Sequence, residues 1–161
     1  MTTIYLALGS NLGDREEYLR QARAKLAPEI IVGKISPVYE AEPMYNTVQP
    51  TFLNAVCEAA TALSSEEVLA KIQGIEREMG EHVHNQPRII DIDLLFYGSL
   101  TAVFPRLTVP HPKIAERAFV LAPMADIAPD FVHPVLGVTI AELLAQLGDF
   151  SKQVWRTHVQ L

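Results

Sequence analysis

Two acids stand inside an otherwise apolar run, Ile89-Ile90-Asp91-Ile92-Asp93-Leu94-Leu95-Phe96. In a strand, side chains alternate, so Ile90, Ile92, Leu94 and Phe96 would turn to the core while Asp91 and Asp93 share the opposite face, about 7 Å apart. Two carboxylates held there repel each other and attract a cation. A hard ion such as Mg²⁺ takes oxygen ligands, commonly one or two carboxylates plus phosphate oxygens, and a pair of such ions can clamp a phosphoryl group under attack. The same spacing also suits a solvated strand face whose charges blunt an exposed edge. Arg88 lies upstream, and Arg106, His111, Lys113 and Arg117 follow downstream. These groups could gather an anionic substrate over the acids, though each alone also fits a surface charge. His111 sits between Pro110 and Pro112, which stiffen its backbone, and it could donate to phosphate from either ring nitrogen. His82 and His84 fall in a polar loop, where histidines are usually solvated. Phe52 and Phe119 each neighbour a polar group, Asn54 and Arg117 respectively. Two such rings could sandwich a flat heterocycle while the Asn54 amide reads its edge, or both could belong to the core. Gly9-Ser10-Asn11-Leu12-Gly13-Asp14 has neither the ending of a phosphate-cradling loop nor the spacing of a dinucleotide fingerprint, and reads as a turn and helix cap.

The elements that must position these groups follow from local pattern. Ile4, Leu6 and Leu8 alternate with Tyr5 and Ala7, which predicts a half-buried strand. Asp14 as N-cap, Glu16 and Glu17 in a first turn, and Leu19, Ala22 and Leu26 at helical spacing predict a helix before Pro28. Residues 30–39 read as a second strand made irregular by Gly33 and Pro37. Residues 40–51 form a loop of about a dozen residues, a length at which loops tend to be functional. Residues 52–62 fit a third strand, although the alanines there also permit a helix, and Ser64 with Glu67 has capping-box spacing ahead of the stripe Val68, Ile72, Ile75, Met79 that stops at Gly80. Residues 89–97 make the fourth strand. The order is strand, helix, strand, strand, helix, strand, which predicts an α+β, ferredoxin-like antiparallel sheet with two helices on one face. Beyond it, a short helix over 113–124 and a last helix over 139–147, again with capping-box spacing from Thr139 to Glu142, form C-terminal additions.

The chain has 161 residues, 49% hydrophobic and 20% charged, which suits a single domain over 1–161. The one cysteine, Cys57, excludes an internal disulfide framework and a four-cysteine zinc site, and agrees with a reducing compartment. No signal peptide and no apolar run of about 18 residues is visible, so no membrane association and a cytoplasmic location are expected. A formal charge of −6 has the wrong sign for a nucleic-acid binder, so nucleic acid is not an expected partner. It still permits a polyanionic small molecule bridged to carboxylates by metal.

Several separate motifs, in order, resemble the 6-hydroxymethyl-7,8-dihydropterin pyrophosphokinase family: Leu8-Gly9-Ser10-Asn11-Leu12-Gly13, Phe52-Leu53-Asn54-Ala55, Pro87-Arg88-Ile89-Ile90-Asp91-Ile92-Asp93-Leu94-Leu95, Arg106-Leu107-Thr108-Val109-Pro110-His111-Pro112 and Arg117-Ala118-Phe119-Val120-Leu121-Ala122-Pro123. The resemblance implies pyrophosphoryl transfer from ATP to the pterin hydroxymethyl oxygen, in folate biosynthesis, on a ferredoxin-like fold. By it Asp91 and Asp93 hold two Mg²⁺ ions. Phe52 and Phe119 stack on the pterin, Asn54 bonds its edge, and the backbone around Ala41, Glu42 and Met44 completes that pocket. Gln73, Glu76, Arg106, Thr108 and His111 contact the nucleotide, and Arg88 and Arg117 stand by the phosphates. A monomer is expected. After Gly80 the family usually carries arginines and a tryptophan in a closing loop. Here the segment reads Glu81-His82-Val83-His84-Asn85-Gln86-Pro87-Arg88, shorter and without the two loop arginines or the tryptophan. His82 and His84 could replace those arginines in part. An alternative is therefore a pterin- or nucleotide-binding module weakened in catalysis, and a third reading is a metal-dependent phosphoesterase.

Overall fold

The structure, a computed structural model, describes residues 1–43, 48–80, 87 and 89–161. The N-terminal alternation becomes β1 (Thr2–Ser10), with Ile4, Leu6 and Leu8 fully buried on one face. Asp14 caps α1 (Arg15–Leu26) by accepting from the Glu17 N–H, and Leu19, Ala22 and Leu26 form its buried stripe. The strand expected over 30–39 is two strands, β2 (Ile30–Ile35) and β3 (Tyr39–Ala41). The break has a local cause: at Ser36 the side-chain hydroxyl takes the N–H of Val56, and Pro37 has no N–H to offer a ladder. Both strands pair with β4 (Phe52–Thr61). The capping box at Ser64 and Glu67 opens α2 (Ser65–Met79), which ends at Gly80 with φ 141°. β5 (Asp91–Tyr97) starts two residues later than its apolar run.

The main sheet has the order β5-β1-β4-β3, continued by β8 (Val154–Arg156), with β2 also on β4, and every pairing is antiparallel. α1 and α2 cover one face, where Leu19, Leu26, Val68 and Ile72 pack on Ile4, Leu6, Leu8, Leu53 and Ile92. The other face is also covered, so the expectation of helices on one face alone is incomplete. There α3 (Ala118–Ile127) and α4 (Ile140–Gln146) pack Val120, Leu121, Met124, Ile140 and Leu143 onto Tyr5, Val56 and Leu95. The helix expected over 113–124 is a single 3-10 turn at Ile114–Glu116 followed by α3, which runs on to Ile127 with Pro123 inside it. Two further features escaped the sequence pattern: the hairpin β6 (Ala102–Phe104) and β7 (Leu107–Val109), and β8 itself.

One register detail corrects the expected alternation of β5. Leu94 lies opposite Leu6 and Phe96 opposite Tyr5, so Leu95 is an extra residue, a β-bulge. Beyond it the pleat inverts. Phe96 therefore leaves the Ile90, Ile92, Leu94 side and packs against Tyr5, Phe131 and His133 under α3 and α4. Among the described residues, no helix is long and apolar enough to cross a membrane.

Candidate active site

Across the sheet, Gly9 lies opposite Asp91 on one side and opposite Asn54 on the other, and Asn54 lies opposite Tyr39. The next row joins Asp93, Ala7 and Val56, and Phe52 lies opposite Ala41. Directly opposed residues share a face. Asp91, Asp93, Asn54 and Phe52 therefore project together on the face that α3 covers, as the contacts of Val56 and Ala41 with α3 side chains require. Asp91 and Asp93 are half-buried at one edge of the sheet.

Glu76 of α2 reaches the same edge, where the Ile92 N–H, between the two acids, donates to Glu76 Oε2 at 3.1 Å. Burial pushes the Glu76 carboxyl up to about 7; the Ile92 N–H works against this, and the neighbouring Asp91 and Asp93 carboxylates add to it. Three carboxyl groups thus converge with an excess of negative charge. Gln73 stands one turn earlier on α2, half-buried on the same side of the helix.

The loop after β7 is tied to β5 by the His111 N–H, which donates to the Leu95 carbonyl at 3.0 Å. The Lys113 N–H donates to His111 Nδ1 at 3.2 Å, so the ring offers a proton only from Nε2 and not from either nitrogen. Burial, with the nearby Arg117 charge, lowers the His111 pKa to about 4 against the pull of Asp91, which leaves a neutral imidazole at neutral pH. Arg117 immediately precedes α3, half-buried, with its guanidinium carbon 5.5 Å from the centre of the Phe119 ring. Phe119, in the first turn of α3, packs against both the Val56 cluster and the Tyr39 and Ala41 cluster, and so over the row that carries Asn54. Asn54 is 8% exposed, and its Nδ2 has no hydrogen-bond partner among the described residues. A buried amide left unsatisfied is costly unless a ligand completes it.

Thr108 is half-buried on β7, and Arg106 is exposed in the β6–β7 turn. Ala41 is buried, and the Glu42 N–H donates to the Gln153 carbonyl at 2.9 Å. Met44, Arg88, His82 and His84 lie outside the described residues. The pattern also missed how residues 49–51 are anchored. Arg15 donates to Glu40 Oε2 and to the Thr51 carbonyl and hydroxyl, and Asn11 donates to Gln49 and to the Pro50 carbonyl. Asn11 stood in a quoted motif, but its partners are 38 and 39 residues away and carry no local signal.

By class, this is an α+β fold with an acid pair, a neutral imidazole, an arginine and an unsatisfied amide around one sheet face. The chain belongs to the family described as 7,8-dihydro-6-hydroxymethylpterin-pyrophosphokinase (HPPK), whose profile matches residues 5–129. It is 45% identical over 127 residues to the 2-amino-4-hydroxy-6-hydroxymethyldihydropteridine pyrophosphokinase of Bacillus subtilis, covering 76% of each chain. It is 42% identical over 137 residues to the Aquifex aeolicus protein of the same name, covering 84% of this chain and 86% of that one. A match of 43% identity over 149 residues to the folic acid synthesis protein fol1 of Pneumocystis carinii covers 91% of this chain and 20% of that one. The chain thus spans about a fifth of the length of the fol1 relatives it matches. The fold is similar to that of wild-type Plasmodium falciparum HPPK-DHPS, with a TM-score of 0.80 at 17% identity over 99% of this chain and 48% of that one.

Proposed function

We propose that the chain transfers the pyrophosphoryl group of ATP to the hydroxymethyl oxygen of 6-hydroxymethyl-7,8-dihydropterin, giving AMP and the pterin diphosphate. The observation that carries this reading is the single sheet face on which Asp91 stands across Gly9 from the unsatisfied Asn54 amide, with Asp93 in the next row. The donor set fits two Mg²⁺ ions: hard carboxylate oxygens, an excess of negative charge, and too few protein ligands to close a cage without phosphate oxygens from a substrate. Asp91 and Asp93 would hold them, and when bound such ions neutralise phosphate charge and align it for attack.

The chain's own groups do the rest. Asn54 bonds the heterocycle edge, and Phe52 and Phe119 offer the faces on which it stacks, with Ala41 and the backbone near Met44 closing the pocket. Gln73, Glu76, Arg106 and Thr108 line the nucleotide side. His111 Nε2–H and the charges of Arg117 and Arg88 stand by the phosphates, where donors held in place need no reorganisation as charge develops. One bond forms from the hydroxymethyl oxygen to the β-phosphorus as the bond from that phosphorus to the AMP oxygen breaks, and the hydroxyl proton passes to water. No protein nucleophile is needed.

The ferredoxin-like reading is part of the proposal. With β2 and β3 counted as one strand, the order four-one-three-two and the antiparallel pairing support it. We also read residues 1–161 as one domain working as a monomer in the cytoplasm.

ATP, Mg²⁺ and the hydroxymethyl dihydropterin, incubated with the protein, are expected to yield AMP only when the pterin is present, with EDTA stopping the reaction and added Mg²⁺ restoring it. Tight pterin binding without AMP would mean a binding module, a reading that the intact acid pair disfavours. ATP breakdown without pterin would mean a hydrolase.

A further inference from the structure

Gly9 sits in β1 in the row between Asp91 and Asn54, with extended backbone that any residue could adopt; the glycines with positive φ lie elsewhere. Conformation therefore does not call for glycine here. Space does. A Cβ at Gly9 would come within 2.8 Å of Asn54 Oδ1 and 3.5 Å of Phe52 Cδ1, the two groups assigned above to the heterocycle. Neighbouring strands are about 4.8 Å apart, so Asn54 and Asp91 face each other across roughly 10 Å of sheet whose floor is this glycine. A bicyclic ring bonded to the Asn54 amide would lie along that floor, and a one-carbon substituent at its far end would reach towards the acids.

We propose that Gly9 determines specificity for the pterin: by having no side chain it leaves Asn54 in its binding orientation. Glycine inside a strand is otherwise unfavourable, and close approach of a ligand or backbone is its usual justification. The proposal deepens the functional reading above and rests on it.

The test is Gly9→Ala, assayed beside the wild-type protein, Asn54→Ala and the double variant. Gly9→Ala is expected to raise the KM for the pterin about tenfold or more while the KM for ATP stays within twofold and the melting temperature stays close to wild type. In the Asn54→Ala background, where the clashing oxygen is gone, adding Gly9→Ala is expected to raise the pterin KM less than threefold further. An unchanged pterin KM in Gly9→Ala, an equal rise in both KM values, or the same tenfold factor in both backgrounds would overturn the proposal. Should Gly9→Ala alone fail to fold, recovery of folding in the double variant supports the contact with Asn54, and no recovery overturns it. A wild-type protein that forms no AMP from pterin and ATP would instead sink the functional reading, so the two failures are distinct.

Discussion

Asp91 and Asp93 occupy successive rows of one sheet face, and Glu76 adds a third carboxyl beside them. Exchanging Asp93 for asparagine keeps the shape, removes one charge and eases the repulsion on Glu76. Asp93→Asn is therefore expected to lower the rate of AMP release by about a hundredfold or more while the melting temperature stays the same or rises slightly. Rate measurement and thermal melting on one preparation decide it; a variant that keeps full rate would remove the acids from the chemistry. The acid pair and Asn54 were legible in the sequence because strand period alone puts residues two apart on one face. Glu76 was legible only as a motif position. That its carboxylate braces the N–H of Ile92 could not be read, because the bond joins residues 16 apart through the packing of α2 on β5. The donor geometry of His111 was hidden likewise: proline neighbours stiffened the segment, but which ring nitrogen is committed depends on where the Lys113 N–H points.

Element boundaries were best read where a cap announces them. Ser64 and Glu67 exchange both capping bonds, at 3.1 and 2.9 Å, and Thr139 and Glu142 do the same. Ser64→Ala leaves the Glu67 N–H without that acceptor, so it is expected to cost about 1 kcal/mol of stability with kcat unchanged. Chemical denaturation measures the loss, and an unchanged midpoint would show that α2 is held by packing alone. Strands were less legible. β3, β6, β7 and β8 have three residues each, too few to show a period, and β8 pairs with β3 across more than a hundred residues of chain. The bulge at Leu95 illustrates the same limit. Leu94, Leu95 and Phe96 are all apolar and buried, so the run has no alternation to count there, and only pairing with β1 reveals that one of them is extra.

Over the whole molecule, pH acts on two opposed groups in one site. The unfolded chain binds a proton at His111 below about 6.5, whereas the folded His111 resists one until about 4. Stability held by that neutral imidazole is therefore lost as pH falls from 6.5 towards 4. Burial lowers the pKa of His133 in the same direction. Glu76 works the other way: folded, it takes its proton near 7, unfolded only near 4.5, so acidification between those values favours the fold. The wild-type curve is expected to be shallow and the variants to separate from it. His111→Asn should gain stability relative to wild type as pH falls from 6.5 to 4, and Glu76→Gln should lose relative to wild type as pH falls from 7 to 4.5. Melting temperatures across that range test both, and parallel curves would contradict the burial of these groups. By itself, the sequence determined the helix caps, the apolar stripes of α1 and α2, the shared face of Asp91 and Asp93, and the α+β class, because each follows from a period or a hydrogen bond within a few residues. Only the tertiary structure decided that Gly9 lies between acid and amide, that Phe96 crosses to the other face, that Glu76 braces β5, and that α3 carries Phe119 over the Asn54 row. Those depend on register and packing between distant segments, which no local pattern encodes.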